Sequence, residues 1–87
     1  MYLRKLIMNI RDILNRAADY FEKSGSTTPR LDAEVLLSAW LQADRLEFYR
    51  APGKTMREEK ISGFEGWIKR RVQGEPVAYI TGVKEFW

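Results

Sequence analysis

Apolar side chains recur at helical spacing in three separate stretches of this 87-residue sequence. Within each stretch they fall three or four positions apart, which places them on one face of an α-helix. The three stripes are Ile10, Ile13, Leu14, Ala17 and Phe21; Ala33, Leu36, Leu37, Trp40 and Leu41; and Ile61, Phe64, Ile68 and Val72. The pattern predicts three main helices that bury these faces against one another.

Residues that favour helix ends separate the stripes. Asn9 is a suitable N-cap for the first helix, and Ser24-Gly25 is suited to end it. Thr28-Pro29 fits the start of the second helix, with threonine as the cap and proline at the first helical position. Asp44–Glu47 and Thr55–Glu58 both match the capping-box pattern, which predicts a short third helix and a longer fourth one.

The end of the fourth helix and a further turn complete the predicted fold. Gly74 is expected to end the fourth helix, and residues 76–80 could form one more turn closed by Gly82. We therefore predict an all-α fold, a small helical bundle of four to five helices.

Both ends of the chain carry apolar residues outside the predicted bundle. Leu3, Leu6 and Ile7 extend the first stripe backwards, so either the first helix begins near Leu3 or residues 1–8 form a leader that could be disordered. We favour the leader, because Asn9 is a good cap. Residues 83–87 have the pattern of a starting strand, which would lack a partner for its backbone groups. The chain is thus expected to be a fragment.

The composition excludes several classes of site. The sequence has no cysteine and no histidine, which rules out disulfides, thiolate nucleophiles and the commonest general base and metal ligand. We find no paired carboxylates in an apolar setting, so we assign no catalytic, cofactor-binding or metal-binding residue. No apolar run approaches the roughly 20 residues that span a bilayer, and no secretory signal pattern is present. We expect a cytoplasmic protein with no membrane partner.

The densest basic cluster, Lys69-Arg70-Arg71, lies at the end of the fourth helix. It could bind an acidic partner or RNA, or it could simply complement the helix dipole. Arg71 is the strongest binding candidate of the three, because a guanidinium makes bidentate contacts. The net charge of +3 is compatible with either an acidic protein or nucleic acid as a partner.

Asp32 and Glu34 have two interpretations. They are most simply surface residues that complement the helix dipole, but Arg30 or Asp32 could instead form an ion pair with the segment Arg70–Glu75.

Three aromatic residues and two glycines have less specific interpretations. Trp40, Trp67 and Tyr79 are expected in or beside the core. Gly63 and Gly66 lie inside the fourth helix. They could provide a flat strip on which a partner packs closely, or they could simply be surface positions where a lower helix stability is tolerated.

Three stretches of the sequence, residues 29–37, 70–82 and 84–87, together resemble the N-terminal domain of the HemK/PrmC-type methyltransferases, which modify a glutamine of peptide chain release factors. The resemblance implies a helical bundle, a linker hairpin that residues 83–87 would begin, and a Rossmann-like catalytic domain that binds S-adenosylmethionine. The family's Asn-Pro-Pro-Tyr motif and glycine-rich cofactor loop do not occur here, so no catalytic or cofactor role can be carried over.

The resemblance implies that residues 9–82 are a substrate-recognition domain, which helps to grip the release factor while its own catalytic domain modifies the glutamine. The candidate partner-binding residues are Arg30, Asp32, Lys69, Arg70, Arg71, Glu75 and Tyr79. The alternative is a stand-alone helical module that binds nucleic acid or another protein. Nucleic acid is disfavoured, because acidic residues are spread through the chain and no helix carries a basic stripe along its length.

Overall fold

The computed structural model describes residues 7–82. Within them, five helices and a two-stranded sheet follow one another along the chain: β1 (Ile7–Asn9), α1 (Ile10–Lys23), α2 (Pro29–Leu41), α3 (Leu46–Arg50), β2 (Thr55–Arg57), α4 (Glu58–Val72) and α5 (Val77–Thr81). The predicted helical bundle is confirmed, with a small sheet added to it. In this part of the chain, no helix has the length and hydropathy that crossing a membrane requires.

The first two helices begin and end where their sequence signals predict. The side chain of Asn9 accepts a hydrogen bond from the backbone N–H of Asp12 at 2.8 Å and so caps α1. After α1, Gly25 adopts a φ of +102°, a conformation that costs glycine little. Pro29 is the first residue of α2. Thr28 does not cap the helix with its side chain; its hydroxyl instead donates to the Asp32 carboxylate.

The small sheet corrects the prediction of an all-α fold. It also corrects two local predictions, the leader that included residues 7–8 and the capping box at residues 55–58. β1 pairs with β2 in antiparallel register, with Met8 opposite Met56. Ile7 and Met8, which we placed in the leader, therefore belong to a strand. Thr55–Arg57 is a strand and not a capping box, and α4 begins at Glu58 without a side-chain cap. Met8 and Met56 are 4% and 5% exposed, so the long-range pairing buries two apolar side chains that a local helix start would not.

The core lies between α1, α2 and α4, and the predicted stripes supply most of it. The buried apolar residues are Met8, Ile10, Ile13, Leu14, Ala17, Phe21, Ala33, Leu36, Leu37, Phe48, Met56, Ile61, Phe64, Ile68 and Ile80. The additional turn is confirmed as α5, which ends at Gly82 with a φ of +70°. Residues 1–6 and the predicted linker start at 83–87 lie outside the described residues.

Trp40 packs across α4 at Gly63. Its indole N–H donates to the carbonyl of Lys60 at 3.0 Å, and its ring meets that of Trp67 edge to face at 5.1 Å. Both tryptophans are partly buried against the core, as predicted. Gly63 fits neither interpretation of the glycines, because it gives the Trp40 ring room inside the domain. Gly66 is an open surface position, since a Cβ atom placed on it would have no neighbour within 4 Å.

Candidate functional site

Helix α2 carries two buried carboxylates, Asp32 and Glu34, which are 7% and 2% exposed. The expectation that they are surface residues was wrong for both. Each is hydrogen-bonded by arginine, which offsets the cost of removing a charge from water. Because they are two residues apart on a helix with 3.6 residues per turn, their side chains leave α2 about 200° apart. They organise two clusters on opposite sides of α2, which we call the Asp32 cluster and the Glu34 cluster.

The Asp32 cluster joins the start of α2 to the end of α4. Arg71 Nε donates to Asp32 Oδ2 at 3.1 Å, and Arg71 Nη2 forms an ion pair with the same oxygen at 3.0 Å. The Ser26 hydroxyl donates to the same oxygen at 2.6 Å, and the Thr28 hydroxyl to Oδ1 at 3.2 Å. The expected ion pair between this helix and the Arg70–Glu75 segment is therefore confirmed, and Asp32 is the residue that makes it. Arg71, the strongest binding candidate, is committed to an internal contact.

A second ion pair holds the connection from α4 to α5. Arg70 donates to both carboxylate oxygens of Glu75, with the Nε–Oε2 distance at 2.9 Å. The hydrogen bond from Arg70 lowers the pKa of Glu75 below its ordinary value of 4.5. These two residues line a shallow concave surface with Ala78, Tyr79 and Gly82.

Tyr79 is 74% exposed, so the expectation that it lies in or beside the core was wrong. The inward face of α5 is formed by Ile80, which is 4% exposed, and by Val77, which lies three residues earlier and packs against the core. Adjacent helical residues lie about 100° apart, which turns Tyr79 towards solvent.

The Glu34 cluster joins α2 to α3 and α1. The Tyr49 hydroxyl donates to Glu34 Oε2 at 2.5 Å, and Arg30 Nε donates to the same oxygen at 3.0 Å. Arg45 donates to Oε1 from Nη2 at 2.9 Å. Arg30 also reaches Asn15 on α1, with a distance of 2.9 Å from its Nη1 to the amide oxygen.

The hydrogen bonds of this cluster keep Glu34 ionised at neutral pH. Burial alone raises the pKa of Glu34, but the hydrogen bonds from Tyr49, Arg45 and Arg30 lower it by more, so it lies below the ordinary 4.5. The hydrogen bond from Tyr49 to Glu34 stabilises the neutral phenol, so it raises the pKa of Tyr49 above its ordinary value of 10.0. The carboxylate is hidden, whereas the side chains of Arg30 and Arg45 are 46% and 45% exposed.

The structure separates the predicted partner-binding residues into two groups. Four of them, Asp32, Arg70, Arg71 and Glu75, interact around the α4–α5 connection, next to Tyr79, whereas Arg30 belongs to the Glu34 cluster. Lys69 is exposed on α4. Arg45 and Tyr49 were not among the predicted residues. Their spacing of four residues, which puts both on one face of a short helix, was the available signal.

The comparisons with known proteins identify the family. The family model for the PrmC N-terminal domain matches residues 12–82 of this sequence. This chain belongs to the PrmC N-terminal domain family. Both carboxylate clusters, from Asn15 to Tyr79, therefore lie within the matched PrmC N-terminal domain.

Individual relatives of this PrmC N-terminal domain carry consistent names. A release factor glutamine methyltransferase of Rhodopirellula baltica is 40% identical over 75 residues, which is 86% of this chain and 25% of the relative. One from Coxiella burnetii is 44% identical over 62 residues, 71% of this chain and 22% of the relative. A bifunctional methyltransferase of Rickettsia typhi is 37% identical over 79 residues, 91% of this chain and 15% of the relative. The chain thus spans about a quarter or less of these relatives. No solved structure gave a significant match.

Proposed function

We propose that this chain is the release-factor recognition domain of an S-adenosylmethionine-dependent protein-(glutamine-N5) methyltransferase. The observation that carries the proposal is the match of residues 12–82 to the PrmC N-terminal domain, together with relatives named release factor glutamine methyltransferase. In this proposal the chain binds the substrate protein in the cytoplasm. A separate catalytic domain of the same protein binds the cofactor and transfers the methyl group.

The chemistry of the two clusters supports binding rather than catalysis. Asp32 and Glu34 both accept hydrogen bonds from arginine side chains. A carboxylate whose oxygens already accept hydrogen bonds from arginine is a poor general base. Arginine and tyrosine, by contrast, are residue types that frequently dominate protein interfaces.

The residues predicted to bind a partner have different tasks in this proposal. Asp32, Arg70, Arg71 and Glu75 position α5 against α2 and α4 through their ion pairs. The exposed Lys69 and Tyr79 lie on the side of the α4–α5 connection, where we propose that the domain adjoins its own catalytic domain. Arg30 lies on the other side of α2, in the Glu34 cluster, and is available to the release factor.

Calorimetric titration of the 87-residue chain tests the proposal. The release factor from the same organism should bind, and S-adenosylmethionine should give no heat of binding. A specific isotherm with the cofactor would overturn the assignment of cofactor binding to another domain. A short RNA that binds more tightly than the release factor, with an affinity that falls steeply with salt, would favour the nucleic-acid-binding alternative.

A further inference from the structure

The outward side of the Glu34 cluster places two arginines beside exposed apolar and aromatic side chains. On α3, Phe48 faces the core and is 3% exposed, whereas Leu46 and Tyr49 are 56% and 62% exposed. Arg45 precedes Leu46 in the chain and is held against Glu34. Arginine and tyrosine are enriched in protein interfaces, and the exposed Leu46 adds apolar surface that a partner could cover.

The charged groups that this surface offers to a partner are guanidinium N–H donors, because the carboxylate that holds them is buried. Glu34 is 2% exposed, so a partner meets the exposed parts of Arg30 and Arg45 and not the carboxylate that holds them. The two acidic residues of the α3 region have partners of their own. Asp44 accepts from the backbone N–H of Leu46 at 2.9 Å, and Glu47 pairs with Arg50 at 3.3 Å. Accessible guanidinium groups pair best with carboxylates, so this surface favours an acidic segment on the partner.

The contacts within the cluster also hold its exposed side chains in place before any partner binds. Tyr49, Arg30 and Arg45 each donate to Glu34, and Arg30 is further held by Asn15. Immobilising a long side chain on binding costs roughly 0.5–1.5 kcal/mol, and here folding has already restricted these side chains. The cluster is thus arranged like a preformed binding surface.

We propose that the surface formed by Arg30, Arg45, Leu46 and Tyr49 binds an acidic segment of the release factor that also carries an apolar side chain. This inference rests on the proposed function and adds the contact surface and the chemistry of the bound segment. The surface lies on the side of α2 opposite Asp32, away from the α4–α5 connection. The domain can therefore bind its substrate there while Tyr79 adjoins the catalytic domain.

The test measures binding of the release factor from the same organism to the 87-residue chain by calorimetry. Leu46→Ala should weaken binding about tenfold, because it removes apolar surface that the partner would bury. Arg45→Gln, which keeps a donor for Glu34 but removes the charge, should weaken it to a similar extent and reduce its dependence on salt. Ile7→Ala is the matched control, because Ile7 is 57% exposed on β1; it should change affinity less than twofold. Far-UV circular dichroism should show that all three variants remain folded.

The outcomes separate this inference from the proposed function. If the wild-type chain binds and neither Leu46→Ala nor Arg45→Gln weakens it relative to Ile7→Ala, the surface is wrong and the recognition function stands. If the wild-type chain does not bind the release factor, the function fails and this surface with it. If Arg45→Gln instead abolishes binding of an RNA oligonucleotide while the release factor does not bind, the surface recognises nucleic acid and the inference is overturned.

Discussion

The indole ring of Trp40 occupies the space that a side chain at Gly63 would fill. A Cβ atom built on Gly63 would lie 2.5 Å from Cη2 of Trp40 and closer still to Cζ2. The ring cannot move away freely, because its N–H is bonded to the Lys60 carbonyl and its edge packs on Trp67. The close approach of α2 to α4 therefore depends on glycine at this position.

Gly63→Ala should destabilise the domain, and Gly66→Ala provides a matched control in the same helix. Both changes gain up to about 1 kcal/mol of helix propensity. Only Gly63→Ala must also push Trp40 aside, at a cost of about 1–3 kcal/mol. Chemical denaturation should therefore show Gly66→Ala as more stable than Gly63→Ala by about that amount. Equal stabilities would mean that the Trp40 ring can relax without cost.

Asp32→Ala should destabilise the domain through the partners it leaves behind. Arg71, Ser26 and Thr28 all donate to this carboxylate, and the Arg71 side chain is only 22% exposed. Removing an acceptor from partly buried donors costs about 1–3 kcal/mol. A double-mutant cycle with Arg71→Met, followed by chemical denaturation, should show a coupling energy that accounts for much of this loss. Strictly additive effects would show that the ion pair contributes nothing beyond the two side chains.

The Glu34 cluster should make stability depend on acid. Because the pKa of Glu34 is lowered by folding, its stabilising contribution is complete above the ordinary value of 4.5 and is lost as the pH falls through the lower folded-state value. Glu34→Gln should be less stable than wild type at pH 7 and should lose less stability between pH 5 and pH 3. Glu75 keeps its own contribution of the same sign in both proteins, so the difference between them reports Glu34. If wild type and Glu34→Gln lose the same stability between pH 5 and pH 3, the lowered pKa assigned to Glu34 is contradicted.

Leu37→Ala should be among the costly substitutions in the core. Leu37 is fully buried, and its loss combines transfer free energy with a residual cavity, about 2–5 kcal/mol. Leu31, on the same helix, is 44% exposed, and Leu31→Ala should cost less than about 0.5 kcal/mol. Thermal or chemical unfolding of the pair checks the assignment of the buried face of α2, which a near-neutral Leu37→Ala would refute.

The helices were predictable because their signals are local. The buried stripe of α1 and the cap at Asn9 are visible within a few residues of sequence, and both are confirmed. The strands were not predictable in the same way. Each is three residues long, and its partner lies 48 positions away in the register that pairs Met8 with Met56. Nothing in the local pattern of Ile7–Asn9 indicates a partner at that distance.

In the candidate site, only the ion pair between the start of α2 and the Arg70–Glu75 segment was predictable from the sequence. The pairing of α2 with the Arg70–Glu75 segment was foreseen, although Asp32 and Arg71 are 39 residues apart. The burial of Glu34 was not foreseen, because it depends on Arg45 and Tyr49 folding back over α2. The exposure of Tyr79 was missed because a large aromatic side chain was expected to be buried, although Val77 and Ile80, three residues apart, mark the inward face of α5.

The antiparallel pairing of β1 with β2 has a consequence for the order of folding during synthesis. A ribosome delivers Ile7–Asn9 first, and α1, α2 and α3 all follow before Thr55–Arg57 is available. Until then the nascent chain carries an unpaired strand with Met8 uncovered, the kind of segment that other chains can capture. The hairpin of α1 and α2 can form early from its own contacts, but the N-terminal strand must wait for translation to pass Arg57.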